Sequence, residues 1–139
     1  MAVTEGLLIG PAVLIGLIIG IVELFFLARD EPGMWLSHGF HALPVMMLFV
    51  FASMNVSFVL SLIPHSFAEN AMVDLGIRVV IGLLAAIKTG AAAALVPHTS
   101  VGESKIHLLI IGGLVVAAPY VWMLVAGPLE PLLSGIPLF

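Results

Sequence analysis

The sequence predicts an all-α, polytopic integral membrane protein, built as a bundle of about four transmembrane helices. Of its 139 residues, 62% are hydrophobic and 9% are charged, whereas globular chains average about 45–50% apolar and about 25% charged residues. Polar and apolar residues do not alternate over segments of about ten residues, as they do in membrane barrels. A helical bundle in a lipid bilayer is therefore the expected architecture.

Four apolar runs, separated by three short polar breaks, predict the order of the helices. Each run has about 20 residues, the length that a helix needs to cross the hydrocarbon core. The chain is predicted to form a single domain, residues 1–139, that ends in a proline-rich tail at 127–139. The predicted transmembrane spans are residues 6–28, 43–63, 75–96 and 106–127.

The first run has the features of a transmembrane helix and not of a removable secretory signal. No Lys or Arg precedes Gly6, and the run from Gly6 to Ala28 is longer than the apolar part of a signal, which has about 7–15 residues. We therefore expect it to remain on the protein.

Two interpretations are open for residues 34–43, which precede the second span. They form either an interfacial helical turn or the start of a long second helix that is kinked at Pro44. The tail has prolines at 128, 131 and 137, and each proline lacks the N–H of a helical hydrogen bond. We therefore expect the tail not to be regular helix throughout.

Basic residues give a weak prediction of orientation. Arg29 and Lys105 lie in the first and third breaks, whereas Arg78 lies near the second, within reach of lipid head groups or of Asp74. Because cytoplasmic loops are enriched in Lys and Arg, the first and third breaks are predicted to face the cytoplasm. Both termini would then lie outside the cell membrane.

Small residues predict close helix packing in the first and third spans. They recur every fourth residue in the third span, the small-xxx-small pattern that lets another helix approach. At 100° per residue, Lys88 lies on the opposite side of this helix. The third helix is therefore expected in the centre of the bundle or between protomers. The predicted packing residues are Gly16, Gly20, Gly82, Ala86, Gly90 and Ala94.

Ionisable and polar residues within the spans form the first candidate site. Lys88 lies in an apolar run without acidic residues, and Glu23 lies in the first span; such residues are costly in a bilayer and mark functional sites by default. Three interpretations are open: a buried ion pair that sets helix register, a proton-coupled site, or snorkelling of both side chains to the interface. Asn55, in the second span, is a further candidate for a polar path.

Histidines form the second candidate site. His38 and His41 are three residues apart before the second span, and His98 and His107 flank the third break. Under the predicted topology all four lie at one membrane face, where imidazoles could bind a metal ion or haem. The alternative is that these side chains serve interfacial packing, so no cofactor is firmly predicted.

The sequence favours a non-enzymatic membrane protein that works as a homo-oligomer or as an accessory, structural subunit of a larger membrane complex. No catalytic motif or nucleic-acid-binding pattern is present, although an unrecognised intramembrane enzyme is left open. The first alternative is an ion- or proton-coupled transporter or channel subunit that uses Glu23, Lys88 and Asn55. The second alternative is a histidine-ligated metal or haem protein. The expected partners are lipid, copies of the chain or other membrane subunits, but not nucleic acid.

Overall fold

A computed structural model of the chain describes residues 6–30, 33, 35–63, 70–94 and 104–139. Within these ranges, the side chains of residues 35, 37, 38 and 92–94 are not described. The described residues form five α-helices and no strand, which confirms the all-α prediction. The helices are α1 (Ile9–Asp30), α2 (Trp35–Met54), α3 (Val56–Ser61), α4 (Ala71–Ala94) and α5 (Lys105–Leu133).

Two of the described helices, α1 and α5, are long and apolar enough to cross a membrane. Both helices meet this condition by length and composition alone. The four-span topology stays a prediction, because α2 contributes a shorter apolar stretch, Gly39–Met54, and α4 is not among the described helices with the length and composition of a span. The fold therefore supports the predicted helical class and two of the predicted spans.

The second helix is long, as one of the two sequence interpretations expected. It begins at Trp35 and continues through Pro44. It ends at Met54, and Asn55 separates it from the short α3. A break in the predicted second span was not expected, and it has a structural consequence described below.

The last helix extends into the predicted tail and ends at Leu133. Pro128 and Pro131 are accommodated within it. Each lacks the N–H that would bond to the carbonyl four residues earlier, so the unbonded carbonyls lie near the exposed end of the helix. The Ser134 N–H donates to the Glu130 carbonyl at 2.9 Å and closes the last turn. The residues after Leu133 are therefore the part of the tail that is not helical. This agrees with the expectation that the tail is not regular helix throughout.

The long helices pack mainly as two antiparallel pairs, α1 with α2 and α4 with α5. The pairs meet because α2 contacts both α4 and α5, and α1 also contacts α5. In contrast, α1 and α4 do not contact each other. The apolar core takes side chains from all four long helices, among them Ile15, Val50, Ala85 and Val115. Since α1 and α4 are held apart, residues on them cannot meet unless they reach across the core.

The bundle has two distinct ends. We call the end where α1 begins and α5 finishes the terminal end, and the opposite end the loop end. At the terminal end, the Gly10 N–H donates to the Leu138 carbonyl at 3.2 Å. A Cβ on Gly10 would collide with this carbonyl, so glycine permits the C-terminal segment to lie against the start of α1.

Glycines bring the paired helices into close contact. Hypothetical Cβ atoms on Gly16 and Gly20 would lie 3.2 Å from Met47 and Leu43 of α2, respectively. A Cβ on Gly82 would lie 2.6 Å from the Gly112 carbonyl oxygen of α5. The small-residue side of α4 is therefore occupied by α5 within the same chain.

We expect Gly82→Ala to lower the melting temperature in detergent, because the added methyl group meets the backbone of α5. Overpacking of this kind typically costs about 1–3 kcal/mol. Gly76→Ala is a matched control on the same helix, since a Cβ there has nothing within 4 Å. Thermal unfolding followed by circular dichroism compares the two variants. A Gly82→Ala melting temperature equal to or above that of Gly76→Ala would contradict the close α4–α5 packing.

Candidate functional site

A buried arginine forms the largest polar cluster among the described residues. Arg78 of α4 is 3% exposed. Its Nε donates to Oδ2 of Asp74 at 2.5 Å, and its Nη2 donates to Oδ1 of the same carboxylate at 2.9 Å. Asp74 lies four residues earlier on the helix, a spacing that places the two side chains on one face. The two-pronged contact balances the charge of the guanidinium.

The same guanidinium joins α4 to three other helices. Its Nη1 donates to the Ser53 carbonyl of α2, and its Nη2 donates to Oγ of Ser57 in α3 at 2.8 Å. The Ser57 hydroxyl in turn donates to Oδ1 of Asp74 at 2.9 Å. The guanidinium carbon lies 5.9 Å from the centre of the Tyr120 ring of α5, within the range of a cation–π contact.

The break at Asn55 is the local feature that makes this cluster possible. The last carbonyls of a helix lack partners within that helix, and Arg78 bonds to one of them at the end of α2. Asn55 itself binds both polar backbone groups of Leu8: Oδ1 accepts from the N–H at 2.7 Å, and Nδ2 donates to the carbonyl at 3.4 Å. Asn55 therefore ties the break to the start of α1.

The ionisation of Asp74 follows from its contacts. Asp74 lies in the first turn of α4, outside the predicted third span. Burial alone would raise its pKa, but the hydrogen bonds from Arg78 and Ser57 and the charge of Arg78 lower it below 3.8 overall. Its contribution to stability is therefore complete above the pKa of the unfolded chain and is lost as the pH falls through the lowered pKa of the fold.

A second polar contact joins α1 to α5 at the loop end. Oδ2 of Asp30 accepts from the Ser104 N–H at 3.1 Å and lies 2.6 Å from Nδ1 of His107. The His107 ring stacks on Phe26 at 4.1 Å between ring centres. A carboxylate at the N-terminus of α5 is also favoured by the helix dipole. Asp30 therefore fixes the end of α1 against the start of α5.

The structure does not bring Glu23 and Lys88 together within one chain. Glu23 is 1% exposed and lies on the side of α1 that carries Gly16 and Gly20, which pack against α2. Lys88 is exposed on α4, and α1 and α4 are not in contact. The expected pair is thus absent from the single chain, because α2 and α5 close the bundle between the two helices.

The predicted polar path through Asn55 is likewise not assembled from these three residues. Asn55 lies at the terminal end and bonds to the start of α1, whereas Glu23 lies in the half of α1 nearer the loop end. Asn55 is 3% exposed and holds backbone groups. Its observed contacts are those of a structural residue.

The histidine prediction is only partly covered by the described residues. His107 contacts Asp30, and His41 is exposed on α2. His98 and the side chain of His38 lie outside the described part of the chain. Among the residues that are described, no group of three or more His, Asp or Glu side chains is arranged to hold a metal ion.

Sequence reasoning did not foresee the central position of Arg78. The spacing of Asp74 and Arg78 suggested their contact as one of two possibilities, and the structure shows that contact. The Ser53 carbonyl and Ser57 were not foreseen as partners because the break at Asn55 has no clear sequence signal. Comparison with protein-family models, curated proteins and solved structures gives no match to this chain.

We expect Arg78→Met to destabilise the protein strongly, since it leaves the Asp74 carboxylate without its charged partner. Breaking a fully buried pair costs about 3–5 kcal/mol, and we expect a loss toward the lower end of this range because the Asp74 side chain is 18% exposed. Arg29→Met, at an exposed arginine, is the control and should change stability by less than about 0.5 kcal/mol. Unfolding in mixed detergent micelles measures the difference. Adding Asp74→Leu to Arg78→Met should cost much less than Asp74→Leu does alone; strictly additive losses would reject the coupling.

Proposed function

We propose that this chain is a small polytopic membrane protein that acts through helix packing, as a structural or accessory subunit of a membrane assembly. The observation that supports this proposal is that the buried polar groups bond to other parts of the same chain. Arg78 and Asp74 bind groups on α2 and α3. Asn55 binds Leu8 just before α1, and Asp30 contacts His107 of α5. These contacts serve to hold the bundle together, so the outer surface is what remains for interaction.

The outer surface of the described helices is strongly apolar. Large side chains stand out from every long helix, with exposures up to 79% at Leu124. Water-soluble monomers rarely expose continuous apolar surface beyond a few hundred Å². A surface of this kind suits lipid and the helices of other subunits. Examples of these exposed residues are Phe25, Leu48, Leu83, Leu109 and Met123.

The distribution of charge supports a cell-membrane orientation with both termini outside. The chain has four Lys and Arg residues in all. Arg78, at the terminal end, is buried and bonded to Asp74. The other three, Arg29, Lys88 and Lys105, are exposed and lie toward the loop end. The three basic residues toward the loop end outnumber the single one at the terminal end, so the loop end is proposed to face the cytoplasm.

Buried Glu23 favours a second candidate function, an ion- or proton-coupled transporter or channel subunit. Burying a carboxyl group that is 1% exposed within an apolar helix costs free energy, and ionisable residues in such positions commonly mark functional sites. In this case the path would involve α1 and α2, the two helices that meet beside Glu23. The two candidates differ in what neutralisation of Glu23 changes.

We expect native mass spectrometry of the protein, extracted in mild detergent from its own membrane, to show a complex larger than one chain. A packing subunit should retain that mass in Glu23→Gln, and proteoliposomes of the wild type should show no flux that Glu23→Gln abolishes. A monomer under the mildest conditions would contradict the assembly role. Proton or ion flux lost in Glu23→Gln would instead select the transport function.

Cysteine labelling tests the orientation, and the absence of natural cysteine means that the chain itself gives no background labelling. We expect a membrane-impermeant maleimide, added to intact cells, to label Gly135→Cys near the C-terminus. The same reagent should label Ile106→Cys, at the loop end, only after the cells are opened. Both positions are exposed. The reverse pattern of labelling would overturn the proposed orientation.

A further inference from the structure

The outward side of α4 carries one charged group in an apolar surface. We define the outer face of α4 as Val80, Leu84, Ile87, Lys88 and Ala91, which are all exposed. At 100° per residue these five residues fall on one side of the helix. The opposite side, with Gly82 and Gly90, packs against Val116, Gly112 and Leu108 of α5. The close-packing side is thus already filled, and the outer face is left for something outside the chain.

Lys88 is poorly placed to reach the membrane surface by itself. It lies six residues before Ala94, the last residue of α4, which corresponds to about 9 Å along the axis at 1.5 Å per residue. The Cα–Cβ bonds of a helix tilt toward its N-terminus. The side chain of Lys88 therefore starts away from the nearer interface and toward the interior of the predicted span. Snorkelling would require the stem to turn back along the helix.

The described acidic residues are not placed to pair with Lys88 of a second copy of the chain. Asp30 and Asp74 are engaged with His107 and Arg78, and Glu23 is buried between α1 and α2. Glu130 is exposed, but it lies at the terminal end, and copies inserted in the same orientation keep it there. Among the described residues, no carboxylate of a second copy is therefore available at the level of Lys88.

We propose that the outer face of α4 docks a transmembrane helix of a different subunit, and that this helix carries an Asp or Glu level with Lys88. This inference rests on the proposed function and names the surface and the chemistry of the partner. Apolar side chains on both sides of Lys88 would contact the partner helix. The ion pair would set its register and select it over helices that lack the acid.

The test uses the full chain in phosphatidylcholine vesicles with a defined probe helix. The probe is a polyleucine transmembrane peptide with one Glu about 9 Å from the end of its apolar stretch, and the control peptide has Gln at that position. Resonance energy transfer from a donor on Gly135→Cys to an acceptor on the peptide reports association. We expect the protein that retains Lys88 to bind the Glu peptide roughly tenfold more tightly than the Gln peptide.

Substitutions locate that preference. Lys88→Met should abolish the preference for the Glu peptide, whereas Lys88→Arg should retain it and show that the bundle tolerates a change at this position. Lys105→Met removes the other lysine, which is also exposed, and should leave the preference intact. Equal binding of the two peptides by the wild type, or a preference that survives in Lys88→Met, would overturn the inference.

The native complex distinguishes failure of this inference from failure of the proposed function. A complex that contains other membrane chains but loses none of them in Lys88→Met would leave the subunit role standing and refute the docking surface. A complex that contains only copies of this chain would refute the named occupant. Loss of another chain in Lys88→Met, together with its retention in Lys88→Arg and Lys105→Met, is the expected result.

Discussion

The burial of the Arg78 guanidinium is the constraint on which the terminal end of the bundle depends. A guanidinium cannot lose its proton in a protein, so its charge must be balanced and its N–H groups bonded wherever it is buried. Asp74 balances the charge, and the Ser53 carbonyl and Ser57 hydroxyl complete the donor set. Since these partners lie on three helices, the position of one side chain sets how α2, α3 and α4 meet.

The interruption between α2 and α3 and the burial of Arg78 depend on each other. Without the break, the end of α2 would not present a carbonyl to the guanidinium. Without Arg78, that carbonyl would lose a charged donor in an apolar environment, where an unmatched polar group is costly. Asn55 links the same break to α1 through both backbone groups of Leu8. The break at Asn55 is thus stabilised by contacts with α4 and with the start of α1.

Small residues and polar contacts have separate roles in the packing. Glycines allow α1 to approach α2 and α4 to approach α5, while Arg78 and Asp30 connect helices at opposite ends of the bundle. Contact between α2 and α5 then separates α1 from α4. Glu23 is buried on the side of α1 that packs against α2, whereas Lys88 is exposed on the outside of α4. The two ionisable side chains therefore do not meet within one chain.

Composition and periodicity by themselves determined the helical class, the approximate extent of α1 and α4 and the faces of α4. Hydropathy reports where a helix is apolar, and a 100° repeat reports which residues share a side, so both are readable without neighbours. The sequence also offered Asp74 as a partner for Arg78, because residues four apart on a helix are in reach. Only the tertiary structure decided that α5 covers the small side of α4, that α1 and α4 stay apart, and that Arg78 is buried. These facts depend on which helices become neighbours, and a pattern within one helix carries no information about the helix on the other side of the contact.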